Sequence, residues 1–388
     1  MQKEGKKYLI MGVDIGGSSN KIYTKYDGAS EFNEYPNTVI KHDGYIRIED
    51  YINDDSKYQE KLDLTINIEA QPKSKYKEES SKIIEEINSN RWILGALSEA
   101  VSPSPEKLSY STSKMKQKEY FLNIISALAI KMNKHDLSHW EVAIGCLLPP
   151  QNYFELEKEI IEDILVGRIH IRNNVTKESV EVKIRKDNLI VKPEAVVAFN
   201  SAFFSEGELT SLGKKYVDKF NIAIDIGQHT TDFAGIKEGK PLPVTFHTFK
   251  FAGGLLLQYL SKQIFRKYGG YIPTDKEIKR AYASGKLVLG NNAVDIQPEI
   301  EMANKEFAQK LFNEFNQYYL LNKDIHLQQI ASFMFLGGGS IKTGEIKSVP
   351  EFFMDLVHET SEHTIHYSPD YIRFANINGL AEILKNRY

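Results

Sequence analysis

The sequence has a single cysteine, Cys146, in a chain of 388 residues. One cysteine cannot form an internal disulfide, so we expect a protein of the reducing cytoplasm, with Cys146 as a small core residue of an apolar strand. The chain also lacks an apolar run of the roughly eighteen residues that a membrane helix needs. Its first apolar stretch is short, so we expect neither a membrane span nor a secretion signal.

An excess of positive charge is missing too, because the net charge is −3. Proteins that grip nucleic acid directly do so mainly with clustered lysine and arginine. We therefore expect no direct nucleic-acid binding, and any contact with DNA would run through a second protein. The composition, 41% hydrophobic and 26% charged, is typical of a globular protein, and the length fits two domains.

The feature that organises the sequence is residues 9–25, which read LIMGVDIGGSSNKIYTK. Apolar residues lead into Asp14, and an alternating strand resumes directly after the turn. No helix has room to begin after the glycines, which excludes the P-loop and the dinucleotide fingerprint. We predict a β-hairpin whose turn holds phosphate, although a plain tight turn is the alternative. The predicted contributors are backbone N–H groups freed by positive φ at Gly16 and Gly17, side-chain donors from Ser18, Ser19 and Asn20, and the charge of Lys21.

The same unit returns at residues 221–232, which read NIAIDIGQHTTD. Repetition at half-chain separation predicts two similar domains that each offer a hairpin to one ligand. Two aspartates with two phosphate turns suit Mg²⁺ and a nucleotide, so Asp14 and Asp225 are the predicted metal ligands. The turn residues of the second hairpin are Gly227, Gln228, His229 and Thr230. His229 contacts a phosphate or merely fills the turn, and a protonated ring would make affinity pH dependent.

Two further glycine clusters follow apolar stretches. Gly337, Gly338 and Gly339 follow the strand 330–336 and would allow flat approach of the backbone to an adenosine or guanosine. Gly253 lies in the segment that leads into the helix 255–268, where it either lets the backbone approach ribose or phosphate or forms a turn without a ligand. Helices are also predicted at 116–134, 274–284, 299–321 and 380–384, and a strand at 142–148. Pro193 suits a first helical turn, which would place Glu194 near the positive end of a helix.

Five motifs in order resemble those of the actin-like ATPase superfamily, most closely the bacterial plasmid-partition actins of the ParM type and their archaeal relatives. They are DIGGSSNK (14–21), VAIGCLLPP (142–150), DIGQHTTD (225–232), FLGGGS (335–340) and FANINGL (374–380). The third motif departs from the family at Gln228 and His229, where smaller residues are frequent. A sixth element, KPEA (192–195), resembles a turn of the partition actins whose glutamate positions the attacking water.

The resemblance implies an α/β, actin-like fold of two related domains around a nucleotide cleft, each with an inserted outer subdomain. The expected ranges are 1–207 (insertion 32–115), 208–375 (insertion 255–328) and a returning helix, 376–388. It also implies catalytic roles for Glu194 and Asp225, an adenosine site that includes Ser340, and magnesium-dependent hydrolysis of ATP or GTP. The implied partners are further copies of the chain in a helical filament, and a ParR-like adaptor on a centromere-like plasmid site.

Two other functions share this superfold. A sugar or acetate kinase is the main alternative, because DIGG also opens several such enzymes. The sequence shows no clear second catalytic aspartate for an acceptor hydroxyl, and no clustered Cys and His as in zinc-containing sugar kinases. A chaperone of the heat-shock type is the weaker alternative, since the chain ends at Tyr388 straight after the closing helix.

Overall fold

The computed structural model divides the chain into two compact units. The first comprises Met1–Pro193 and Leu380–Tyr388, and the second comprises Glu194–Gly379. Sequence alone places the divisions at 207/208 and 375/376. The structure describes residues 9–16, 19–53, 55–109, 113–155, 157–205, 207–321, 323, 325–361, 364–368 and 372–388.

The first unit is a large mixed sheet with helices. Its strands are β1 (Leu9–Ile15), β2 (Ser19–Tyr26), β3 (Ala29–Pro36), β4 (Val39–Lys41), β5 (Asp63–Ala70), β6 (Arg91–Leu94), β7 (His139–Leu148), β8 (Gly167–Asn173), β9 (Ser179–Ile184) and β10 (Leu189–Pro193). Over the described residues they form one ten-stranded sheet in the order β3-β2-β1-β7-β9-β8-β5-β6-β4, with β10 paired to β7. Its helices are α1 (Lys77–Asn88), α2 (Ala96–Val101), α3 (Lys118–Lys134), α4 (Pro150–Phe154) and α5 (Lys158–Leu165).

Strand β1 lies inside this sheet because its residues are apolar on both faces. It pairs antiparallel with β2 and parallel with β7, and all its residues are buried. Helix α3 is buried along most of its length and packs on the sheet. The predicted hairpin, the strand 142–148 and the helix 116–134 are thereby confirmed. Cys146 is fully buried in β7, and burial raises the pKa of its thiol to about 12, as expected of an inert core residue.

The second unit repeats this arrangement on a smaller scale. Its strands are β11 (Phe204–Ser205), β12 (Glu208–Leu209), β13 (Asn221–Ile226), β14 (Thr231–Lys237), β15 (Lys240–Phe249), β16 (Lys286–Leu289), β17 (Asn292–Asp295), β18 (Ser332–Leu336) and β19 (Ile365–Tyr367). Five of them form the sheet β15-β14-β13-β18-β19. Strand β13 lies between antiparallel β14 and parallel β18, as β1 lies between β2 and β7. The predicted second hairpin is confirmed.

The helices of this unit follow recognisable end signals. They are α6 (Ala198–Phe203), α7 (Ser211–Tyr216), α8 (Gly253–Lys267), α9 (Asp275–Ser284), α10 (Gln297–Phe315) and α11 (Val349–His358), and the C-terminal helix α12 (Ala375–Arg387) begins in this unit and ends in the first. Helix α9 begins at a capping box between Thr274 and Glu277 and ends at Gly285, whose φ is +71°. None of the helices in the described ranges is long and apolar enough to span a bilayer.

The C-terminal helix differs from the prediction made from the local pattern, 380–384. Sequence suggests a short helix that begins after Asn378 and Gly379, but α12 already begins at Ala375 and contains both residues. The glycine is needed for packing, because a Cβ on Gly379 would overlap the carbonyl oxygen of Val197. Helix α12 therefore rests with its first turns on the backbone around Val197, in the second unit.

One ion pair in the first unit joins strand β3 to helix α3. The Lys131 side chain is 1% exposed, and its Nζ lies 2.5 Å from Glu31 Oε1. Lys134 contacts the other carboxylate oxygen of Glu31. Burial raises the pKa of Glu31, but the hydrogen bonds and charges of the two lysines outweigh it and lower the pKa to about 2.

We expect the substitution Glu31→Gln to lower the free energy of unfolding by about 2–3 kcal/mol, because the buried Lys131 loses its charged partner. Urea unfolding at pH 7 measures this loss. The pKa of Glu31 falls from 4.5 to about 2 on folding, so its contribution is complete above pH 4.5 and disappears as the pH falls toward 2. The difference in the free energy of unfolding between wild type and variant should disappear over that pH range.

Glu141→Gln is the matched control for this prediction. Glu141 has a similarly covered carboxylate, but its partners Lys183 and Arg185 are about half exposed. Pairs with exposed partners contribute little, so we expect a loss below about 1 kcal/mol. Equal losses in both variants would show that the burial of Lys131 does not matter.

Candidate functional site

The first hairpin turn joins β1 to β2 directly after Asp14. The backbone N–H of Gly16 donates to the carbonyl of Ser19 at 3.0 Å, which closes the turn. Asp14 is 4% exposed, and its Oδ2 lies 3.6 Å from Nζ of Lys21, the residue opposite it on β2. A carboxylate and an amine therefore lie together beside the turn. The other two predicted turn residues, Gly17 and Ser18, lie outside the described residues.

The predicted positive φ of Gly16 is wrong. Gly16 has no positive φ, and its lack of a side chain matters instead because a Cβ would lie 3.0 Å from the Ser19 carbonyl oxygen. The Asn20 amide is 1% exposed and donates to Asn123 Oδ1 at 2.7 Å and to the Pro36 carbonyl at 3.4 Å. The Ser19 hydroxyl donates to Glu34. These two side chains stabilise the hairpin, and their contact with a phosphate stays a prediction.

Two side chains outside the motif hold the same turn. Nδ2 of Asn37 donates to the Gly16 carbonyl at 2.5 Å, and Nζ of Lys114 donates to the Ile15 carbonyl at 3.1 Å. Both residues lie outside the motifs, in connections that follow β3 and precede α3. No sequence pattern predicted these two contacts, because each residue is distant in sequence from the turn and is brought to it by the tertiary fold.

The second hairpin turn has the same geometry as the first. The N–H of Gly227 donates to the carbonyl of Thr230 at 3.0 Å, and a Cβ on Gly227 would lie 3.0 Å from that oxygen. Thr230 also donates its hydroxyl to Asp232 Oδ2 at 3.4 Å. The repeat seen in the sequence is therefore a repeat of local structure.

Helix α8 begins against this second turn. The N–H groups of Gly253 and Gly254 donate to the carbonyls of Gly227 and Gln228 at 3.0 and 2.8 Å. The turn thereby satisfies two of the N–H groups that a helix start leaves without intrahelical partners. This favours the interpretation of Gly253 as a strand-to-helix turn, and its contact with a ligand stays a prediction.

His229 lies in the second turn, close to α9. Desolvation of its ring, followed by the positive charge of Lys279, lowers the pKa of His229 below its ordinary value. A lower pKa means that the ring loses its proton at a lower pH, so the imidazole is neutral near pH 7. The structure therefore gives no support for a protonated His229 at neutral pH.

The triple-glycine turn packs against the end of β13, which carries Asp225. Gly337 has a φ of +77°, and a Cβ on it would clash with the Ile226 carbonyl oxygen and lie 2.5 Å from Asp225 Oδ1. The Ser340 hydroxyl donates to the Leu336 carbonyl at 2.5 Å and closes the turn. The predicted adenosine turn and the predicted metal ligand are thus neighbours within the second unit.

We expect Gly337→Ala to lower the free energy of unfolding by at least about 2 kcal/mol, because alanine is strained at positive φ and its Cβ has no room. Thermal unfolding measures this loss. Gly338→Ala is the matched control, since a Cβ on Gly338 would meet nothing within 4 Å. Similar melting temperatures for the two variants would contradict the crowding at Gly337.

Glu194 lies on a strained turn rather than at a helix start. Strand β10 ends at Pro193 and helix α6 begins at Ala198, so the prediction of a first helical turn at Pro193 is wrong. Glu194 is 7% exposed, and the next residue, Ala195, has a φ of +59°. The N–H of Val196 donates to the Glu194 carbonyl at 2.5 Å. Strained non-glycine backbone often lies at functional sites, where the surrounding structure maintains it.

A residue that the sequence reasoning missed connects this turn to Asp225. Oδ1 of Asn376 accepts from the Ala195 N–H at 2.9 Å, and its Nδ2 donates to Asp225 Oδ2 at 2.7 Å. Asn376 lies in the motif FANINGL, which is the only sequence signal for it. The two predicted catalytic residues, Glu194 and Asp225, are therefore joined through one amide in the second unit.

The two predicted metal ligands suit magnesium by their chemistry. In the part of the chain that the structure describes, no group of three or more His, Cys, Asp or Glu side chains is placed to hold a metal ion. Mg²⁺ does not require such a cage, because it keeps several waters and is usually held by one or two carboxylates with phosphate oxygens. Asp14 in the first unit and Asp225 in the second are both carboxylates at the ends of strands that lead into a hairpin turn.

Known proteins share the fold of this chain, but their sequence identity to it is low. No curated protein matches the sequence. Residues 223–346 match the family model of the archaeal actin homologue MreB-like, C-terminal.

Solved structures match almost the whole chain. Alp7A, an actin-like protein, is 15% identical, with a TM-score of 0.70 over 98% of this chain and 97% of that one. Ta0583, an archaeal actin homologue in complex with ADP, is 16% identical, with a TM-score of 0.63 over 98% and 100%. A ParM from Clostridium botulinum in a 15-stranded filament is 15% identical, with a TM-score of 0.59 over 98% and 100%.

These matches confirm the fold that the five motifs predicted. Each unit is a mixed sheet with helices, and the same strand–aspartate–turn–strand element occurs in both. The chain has the actin-like fold.

Proposed function

We propose that this protein binds and hydrolyses ATP or GTP and couples hydrolysis to the assembly of filaments that segregate plasmid DNA through an adaptor protein. One observation carries the proposal. In the second unit the Asp225 carboxylate lies against the glycine turn at Gly337, at the end of the strand that enters the second hairpin turn, and it is joined to the Glu194 turn through Asn376. Residues suited to bind a base, a phosphate, a metal ion and a water therefore lie around the Asp225 side chain.

The nucleotide is held by backbone more than by side chains. The hairpin turns offer N–H groups near Gly16 and Gly227, and the turn at Gly337 offers a flat glycine surface for the base. The ADP complex of Ta0583 supports a nucleotide as the ligand. Asp14 and Asp225 would hold Mg²⁺, which neutralises phosphate charge when it is bound.

Hydrolysis requires a water aligned with the terminal phosphate. The Glu194 carboxylate accepts a hydrogen bond from that water and orients its oxygen toward the γ-phosphorus. A bond forms between the water oxygen and the phosphorus, and the bond from the phosphorus to the bridging oxygen breaks. The products are nucleoside diphosphate and inorganic phosphate, and the proton of the water is released to solvent. Burial of Glu194 limits the geometries open to its carboxylate.

Assembly follows from a head-to-tail contact between unlike faces of identical chains. Such a contact forms an open helical filament unless its rotation happens to close a ring. The ParM filament of Clostridium botulinum supports this mode of association. We place an adaptor of the ParR type between filament and DNA because the net charge of −3 offers no general attraction to phosphate backbones.

Sedimentation of the purified protein with and without nucleotide tests the proposal. We expect polymer with ATP or GTP and Mg²⁺, disassembly as phosphate is released, and stable polymer with a non-hydrolysable analogue. Negative-stain microscopy of the pellets distinguishes filaments from aggregates. If no nucleotide-dependent pellet forms well above micromolar protein, filament formation is excluded.

The purified protein and nucleotide can also be used to test the kinase alternative. A sugar or acetate kinase should turn over faster when the correct hydroxylated or carboxylic acceptor is added, and the acceptor should gain a phosphate detectable by mass spectrometry. We expect no stimulation from a panel of sugars and short-chain acids. A phosphorylated product would replace the filament proposal with the kinase.

A further inference from the structure

The side chain of Asn376 uses both ends of its amide within the second unit. It is 9% exposed and lies in the first turn of α12. Its oxygen accepts from Ala195 N–H at 2.9 Å, and its nitrogen donates to Asp225 Oδ2 at 2.7 Å. The donor and acceptor roles are fixed, because an N–H can only donate and a carboxylate accepts. If the amide were flipped, its NH₂ group would face the Ala195 N–H and its oxygen would face the Asp225 carboxylate, so both hydrogen bonds would be lost.

The bond to Ala195 stabilises an unfavourable backbone. Ala195 is fully buried with a φ of +59°, and such a conformation is unfavourable for a residue with a side chain. Its N–H would be left buried and unpaired without Asn376, which adds a further cost. The amide of Asn376 therefore maintains the turn that presents Glu194.

The bond to Asp225 fixes the orientation of a carboxylate. Oδ2 of Asp225 accepts from Asn376, while its Oδ1 faces the closely packed Gly337. Asn376 is itself held, because α12 rests on the backbone at Val197 through Gly379, which has no side chain. One amide thus sets the Glu194 turn and the Asp225 carboxylate relative to each other.

We propose that Asn376 is a positioning residue for nucleotide hydrolysis, acting through Glu194 and Asp225 without contacting the nucleotide. The proposal rests on the proposed hydrolysis. Groups that orient a catalytic carboxylate typically change activity by tenfold or more without being reacting groups themselves. A one-ångström displacement of the Glu194 turn is enough to misalign a water.

Two readouts test this role in the full-length protein. We expect Asn376→Ala to speed hydrogen exchange of the peptide that contains Ala195 in the nucleotide-free protein, because the N–H loses its acceptor. With ATP and Mg²⁺, kcat should fall at least about tenfold while KM changes less than about threefold. Asn221→Ala is the matched control, since this buried asparagine holds the far end of the same strand β13 through its own hydrogen bonds. It should reduce stability and leave kcat and exchange at Ala195 unchanged.

Asn376→Asp separates the two bonds. The aspartate keeps an acceptor for Ala195 N–H but replaces the donor with a carboxylate that faces Asp225. We expect slow exchange at Ala195, as in the wild type, and weaker binding of Mg²⁺–nucleotide.

The outcomes distinguish this inference from the proposed function. Wild-type kcat in Asn376→Ala, or the same effects in Asn221→Ala, would show that Asn376 is only structural. A wild-type protein that hydrolyses no nucleotide would instead overturn the proposed function. In that case the exchange measurement still decides whether Asn376 holds the Ala195 turn.

Discussion

Replacement of Glu194 by glutamine is expected to slow phosphate release at least about tenfold while nucleotide binding persists. Glutamine has nearly the same shape and fits the same strained turn, so the change removes mainly the negative charge. A neutral amide polarises the attacking water less than a carboxylate does. The effect should therefore fall on kcat, with little change in the nucleotide Kd.

The same variant should form longer-lived polymers. If hydrolysis destabilises the filament, a chain that hydrolyses slowly stays in the assembled state after nucleotide is added. Phosphate release and light scattering followed in one sample measure both effects. Glu238→Gln is the matched control, because Glu238 is a glutamate of the second unit that also lies in positive-φ backbone. Its own φ is +54°, whereas in the Glu194 turn the positive φ belongs to the next residue, Ala195. Unchanged phosphate release in Glu194→Gln would remove Glu194 from the mechanism.

The hairpins could be predicted because their signals are local. An apolar run before Asp14 and another before Asp225 determine buried central strands, and each turn closes within four residues. The repetition of the pattern then predicted two similar domains, and the five ordered motifs carried the resemblance that implied an actin-like fold. The predicted helix 274–284 likewise begins within one residue of α9.

The contacts of the site could not be predicted because they join distant residues. Asn376 bonds to Asp225 and Ala195 across 151 and 181 positions of sequence, which no local pattern encodes. The same reason applies to Asn20, whose amide donates to Asn123, 103 positions away.

One proline and one glycine led to wrong helix boundaries, because the proline ends a strand and the glycine allows close packing. Pro193 is compatible with a first helical turn, but it also fits the end of a strand, and here β10 ends with it. Gly379 resembles a helix boundary, yet it lies inside α12 because the helix packs closely on Val197. Both errors concern the elements that carry Glu194 and Asn376, so the local geometry of the Glu194 turn came only from the structure.

Removal of the charge at Asp225 should abolish the magnesium dependence of nucleotide binding. Asp225→Asn keeps the size of the side chain beside Gly337 and an oxygen that can accept from Asn376 Nδ2. What it loses is the negative charge that a hard cation prefers. We expect nucleotide affinity with Mg²⁺ to fall at least about tenfold, toward the value measured with chelator.

Titration of a fluorescent nucleotide with Mg²⁺ and with EDTA measures this dependence. Asp218→Asn is the control, since Asp218 precedes β13 at the opposite end of the strand from Asp225. Asp14→Asn should also weaken the magnesium dependence of nucleotide binding. In that variant Lys21 would lose the ion-pair partner that lies 3.6 Å from its Nζ. Normal magnesium dependence in Asp225→Asn would contradict a metal-binding role for Asp225. The Asn376 amide would then orient a carboxylate that serves only to support the Glu194 turn.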